Sequence, residues 1–153
     1  MKLFRFVSVL SLFLLFVTLT SCSKKAEEIN YNNDECNYCR MQISDSRYAA
    51  TIVVKNDKLY KFDSIECLIG FTLVKNIVEN GSMAFYVCDF SNPGNFIEVK
   101  NSFFLHNNNF MSPMALNVQA FSSQSEREKF VKENGGEEIS WDDVVNMVKE
   151  TAQ

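Results

Sequence analysis

A run of about fifteen apolar and hydroxyl residues, from Phe6 to Thr20, follows the cations Lys2 and Arg5 and decides how much of the 153-residue chain is left to fold. A basic start and an apolar middle are the marks of a secretory signal, and the run falls short of the roughly 20 residues that span a bilayer. It ends at Leu19-Thr20-Ser21-Cys22, which resembles the bacterial lipobox: leucine, two small residues, then a cysteine whose thiol is acylated before cleavage. Residues 1–21 are therefore expected to be a lipoprotein signal peptide, with Cys22 the lipidation site. Acyl chains contribute about 0.8 kcal/mol per buried CH₂, so a multiply acylated N-terminus implies stable attachment to a bacterial membrane, on its extracytoplasmic, periplasmic side.

Cleavage would remove two of the fifteen cations and none of the nineteen acids, leaving a mature chain of net charge −6. With no basic block beyond Lys24-Lys25, nucleic-acid binding by counterion release is excluded. The mostly polar residues 22–35 read as a flexible tether. What remains, residues 36–150, is long enough for one domain. A single histidine, His106, rules out a multi-histidine metal site and reads as a surface residue among asparagines.

Residues 48–55 are rich in Thr, Ile and Val, Asn56-Asp57 is a turn signal, and 58–62 alternate as a hairpin partner should. Residues 63–78 carry a helical stripe, with Asp63 and Glu66 placed as a capping box and Asn80-Gly81 as the stop. Residues 83–90 read as a strand. After the 91–94 loop, 96–99 and 102–105 are short strands, and 115–121 is a further one. Helices are predicted to start at Ser123-x-x-Glu126, ending at Gly135-Gly136, and at Ser140-x-x-Asp143. A weak internal repeat sets strand-Phe62-helix-Gly81 against strand-Phe121-helix-Gly135. The predicted class is α+β: two similar β-β-α-β halves, about 36–91 and 95–150, with antiparallel sheets and packed helices.

The chemistry lies in the sulfurs. Cys36-x-x-Cys39-x-Met41 sets two thiols and a thioether within six residues, and a further methionine lies in Met111-Ser112-Pro113-Met114. Thiolates and thioethers are soft donors that select Cu(I), and a thioether is a poor ligand for zinc. Cys67 lies on the helical stripe and Cys88 follows apolar Val87, so both read as small buried hydrophobes. Two other readings stay open. Cys36 and Cys39 could serve an extracytoplasmic thiol–disulfide oxidoreductase, although they do not open a helix. Alternatively Cys36, Cys39, Cys67 and Cys88 could close a structural zinc site.

An ordered set of motifs resembles the NosL family, the membrane-anchored copper-binding accessory proteins of nitrous oxide reductase. The motifs are the lipobox, Cys36-x-x-Cys39-x-Met41, Phe62-Asp63-Ser64-Ile65-Glu66-Cys67, Val87-Cys88-Asp89-Phe90, Met111-Ser112-Pro113-Met114, Gln119-Ala120-Phe121 and Gly135-Gly136, over nearly all of residues 19–145. The resemblance implies paired α+β halves related to the organomercurial lyase topology. It also implies a Cu(I) chaperone rather than an enzyme, whose partners are a client cuproenzyme or its assembly transporter. On that resemblance Cys39 and Met41 are metal ligands, Met114 is a further one, and Cys36 is the first cysteine of the motif. Arg40 and Ala115 stand where the family has glycine. Glycine reaches positive φ freely, and an arginine at position 40 would be strained in that conformation.

Overall fold

The computed structural model describes residues 29–55 and 58–151. The expected signal peptide, Cys22, most of the expected tether and the Asn56-Asp57 turn lie outside the described residues. The end of that tether is packed, not free. Ile29 is buried, the Tyr31 hydroxyl lies 3.6 Å from the Cys88 sulfur, and Glu35 bridges to Gln42. Two apolar side chains in a polar run fix this segment, so residues 29–35 belong to the packed body.

The first half runs β1 (Ala50–Val54), β2 (Leu59–Phe62), α1 (Ile65–Lys75) and β3 (Met83–Cys88), with β4 (Phe96–Glu98) at its edge. All its pairings are antiparallel, in the order β2-β1-β3-β4. After a single 3₁₀ turn come β5 (Phe103–His106), β6 (Val118–Phe121), α2 (Gln124–Asn134), β7 (Glu137–Ile139) and α3 (Trp141–Thr151). These three strands pair antiparallel in the order β6-β5-β7. In each half the first strand is central, the second flanks it, and the third returns beyond a helix to the other side. The weak repeat in the sequence is thus a repeat of topology. Phe62 and Phe121, each closing the second strand of its half, are both fully buried, a burial that stabilises by about 1.5–3 kcal/mol each. The Phe90 N–H donates to the Ala120 carbonyl at 2.8 Å and joins the halves.

Several local expectations are corrected. The cap of α1 is Ser64, whose Oγ accepts from the Cys67 N–H at 3.4 Å, so Asp63 and Glu66 form no capping box. The helix ends at left-handed Asn76, where Ile77 N–H returns to Thr72 O, well before Asn80-Gly81. Residues 115–117 are not strand, because Ala115 and Asn117 have φ of 65° and 59°. The short strand β7, absent from the sequence reading, carries two exposed glutamates and no alternation; pairing with β5 makes it a strand. Gly136 allows that approach, since a Cβ there would meet the His106 carbonyl at 3.1 Å. The caps of α2 and α3 form as read. Ser123 Oγ accepts from Glu126 N–H, and Ser140 and Asp143 bond reciprocally.

Helix α1 carries the buried Ile65, Cys67, Leu68, Ile69 and Phe71, and packs on β1, β2 and α3. Its first turn therefore lies inside the body, beside the loop that precedes β1. Among the described residues no helix is long and apolar enough to cross a membrane.

Candidate metal centre

Residues 36–41 form a tight loop. The Cys36 N–H donates to Met41 O at 2.8 Å and the Arg40 N–H to Cys36 O at 3.1 Å. Arg40 turns the chain with φ 66°. Two bonds hold the loop to the hairpin edge: Asn37 N–H to Lys61 O at 2.9 Å, and Lys61 N–H to Asn37 Oδ1 at 2.7 Å. On the helix side the Tyr38 ring lies over Gly70, where a Cβ would come within 2.7 Å of it.

This docking brings Cys36 and Cys39 to the first turn of α1, where the Cys36, Cys39 and Cys67 sulfurs all lie within 4.8 Å of one another. Cys36 and Cys67 are fully buried and Cys39 is partly exposed. All three are free thiols. The Cys36 thiol is pulled down to about 5, first by a hydrogen bond from the Cys67 thiol. The amide N–H groups of Asp63, Cys39 and Tyr38 also lower it, against its burial. Cys67 is driven far up, because it donates to that thiolate and is buried. Burial is also the main cause that raises Cys39. Asp63, buried and with Oδ1 unpartnered, is raised to about 6 by desolvation and then by the Cys36 charge. The resting pocket thus holds one thiolate and two thiols, and a soft cation would displace the two remaining protons.

Cys67 is buried in the helix core, as its place on the stripe suggests, and the fold also brings its sulfur to Cys36 and Cys39. A thiol in the first turn of a helix that directly follows a strand is the one sequence signal that could have singled it out. Cys88 is not in the group: it is buried against the Tyr31 hydroxyl and desolvation pushes it up to about 11. The four-cysteine zinc cage therefore does not form. His106, paired with Val118 in the β5–β6 ladder, is also outside it.

Neither Met41 nor Met114 fills the core: they are 45% and 41% exposed. Met41 adjoins the thiols through its backbone, its N–H bonding to the Cys39 sulfur. Met114 lines a groove of about 370 Å³ together with Tyr38, Glu66 and Gly70. The cysteine loop and the Pro-Met loop thus meet over one face of α1. The arrangement offers three clustered thiol sulfurs, with an exposed methionine on each of the two loops.

The fold is similar to the crystal structure of the copper chaperone NosL from Shewanella denitrificans. The TM-score is 0.63 at 24% identity, covering 77% of this chain and 94% of that one. Among curated proteins, none matches the sequence. The NosL family model matches residues 28–148, which include the three clustered cysteines, Met41, Met114 and all but the end of the last helix. The chain belongs to the NosL family.

Proposed function

We propose that the chain is a lipid-anchored, extracytoplasmic metallochaperone that carries Cu(I) to a cuproenzyme, with nitrous oxide reductase or its assembly transporter as client. The observation that carries this reading is the group of three thiol sulfurs in a NosL-family chain, open at one edge. Copper is cargo here. Cys36, Cys39 and Cys67 would supply thiolates, while Met41 and Met114 present thioethers on the exposed side. Soft donors hold Cu(I) and disfavour hard cations. A partly exposed Cys39 leaves room for a client's sulfur or imidazole to enter before the first ligand leaves. Transfer then proceeds by ligand exchange and needs no open-solvent ion.

Disulfide exchange fits less well. Its attacking thiolate must be reachable, yet the ionised sulfur is the fully buried Cys36, and the accessible Cys39 keeps its proton. An anaerobic Cu(I) titration against a competing chelator tests the proposal. One Cu(I) per chain is expected, with binding lost in Cys39→Ser and weakened in Met41→Leu. A Cys39→Ser protein that holds Cu(I) as tightly as wild type would overturn it.

A further inference from the structure

Glu66 lies next to Cys67 in the first turn of α1, and its side chain is buried. It caps nothing, since Ser64 does that. Its Oε1 accepts a hydrogen bond from the Ser112 hydroxyl and another from the Leu116 N–H at 3.0 Å. A buried carboxylate is costly unless hydrogen-bonded, and both of the bonds it makes go to one loop of the opposite half.

That loop, residues 112–117, is closed on itself. The Asn117 N–H donates to Ser112 Oγ at 2.9 Å, the Ser112 N–H to Asn117 Oδ1 at 3.0 Å, and the Ala115 N–H to Ser112 O at 3.0 Å. It contains two non-glycine residues in left-handed conformation, Ala115 and Asn117. Such strain persists only where the surroundings fix it. At its tip is Met114, in the same groove as Tyr38 of the cysteine loop. Ser112 Oγ donates to Glu66 and accepts from Asn117, so one hydroxyl joins the loop's internal bonds to the helix.

We propose that Glu66 is a positioning residue that holds Met114 at the metal centre, acting through Ser112 and Leu116 and not on the ion. The proposal rests on the reading of Met114 as a copper ligand given above. A thioether on an exposed loop contributes to affinity only while the loop is fixed, and the carboxylate ties that loop to the helical turn carrying Cys67. The same side chain thereby couples the two halves of the fold at their shared site.

The test is a double-mutant cycle on the full-chain protein in detergent, with Cu(I) alone as probe and affinity read by chelator competition. In the wild type, Met114→Leu removes the thioether and should weaken Cu(I) binding at least about tenfold, the low end of what loss of even an outer-shell partner costs. In Glu66→Ala it should cost less than about twofold, because the thioether is no longer held. Glu66→Gln keeps an oxygen for both donors and should restore the Met114→Leu penalty. If Glu66→Ala does not fold, Ser112→Ala takes its place in the cycle, since it removes the hydroxyl bond to Glu66 and the loop's own bond from Asn117, leaving only the Leu116 N–H on the carboxylate. A Met114→Leu penalty unchanged in both Glu66→Ala and Ser112→Ala overturns the positioning role while leaving Met114 a ligand. No penalty in the wild type removes Met114 as a ligand, and the proposal with it.

Discussion

The proton count of copper binding follows directly from the sulfur cluster. With Cys36 pulled down to about 5, that sulfur is already a thiolate between pH 6 and 8, whereas Cys39 and Cys67 are raised and keep their protons. Binding of Cu(I) to all three must then expel two protons. Its apparent affinity should rise with pH by about two powers of ten per unit, one for each proton released. Three ordinary thiols near 8.5 would give three powers of ten over the same window. Each variant has its own slope. Cys39→Ser removes one protonated thiol and leaves the Cys67–Cys36 hydrogen bond in place, so any residual binding should rise only about tenfold per unit. Cys36→Ser removes the thiolate that is already ionised, so affinity falls but the slope stays at two. The assay is anaerobic chelator competition at several pH values, with a chelator whose own copper affinity is constant across them. A wild-type slope of three would refute the ionised Cys36, and a Cys39→Ser slope equal to wild type would refute Cys39 as a ligand.

Two further outcomes are expected. Arg40→Gly and Ala115→Gly relieve left-handed backbone at φ 66° and 65°; that strain costs about 1–2 kcal/mol, partly offset by glycine's greater chain entropy. Each should raise apo stability by about 0.5–1 kcal/mol in denaturant unfolding, and a loss of stability in both would show that the side chains make compensating contacts. Cys88→Ala should leave copper stoichiometry at one per chain, with only a modest loss of melting temperature; failure to bind would bring Cys88 into the centre.

Much of the local structure followed from short-range signals. Ser123 with Glu126, and Ser140 with Asp143, cap their helices because a hydroxyl three residues ahead of an acid satisfies the free N–H groups wherever the chain sits. The Thr, Ile and Val content of residues 48–55 and the alternation of 58–62 specified the two strands that pair antiparallel as β1 and β2. The left-handed turn at Arg40 is the conformation suggested by the glycine it replaces, whereas the one at Ala115 falls where the sequence reads as the start of a strand. Asp63 and Glu66 misled for the opposite reason: their spacing is that of a capping box, but Ser64 is nearer to the free amides. Glu66 was left to reach across to Ser112 and Leu116, partners from the other half of the chain. Strand β7 escaped notice because three residues with two exposed glutamates have no pattern until β5 pairs with them.

The inventory of soft donors and the caps of α2 and α3 were written in the chain, because each depends on neighbours a few residues apart. Which sulfurs meet was not. Cys67 joins Cys36 and Cys39 across the whole β1–β2 hairpin, while Cys88, of the same residue type, turns to Tyr31. Identical thiols acquire opposite proton affinities from packing and from the amides aimed at them. Those fields come from segments far apart in sequence, and they take shape only when α1 is buried between the hairpin and the Pro-Met loop.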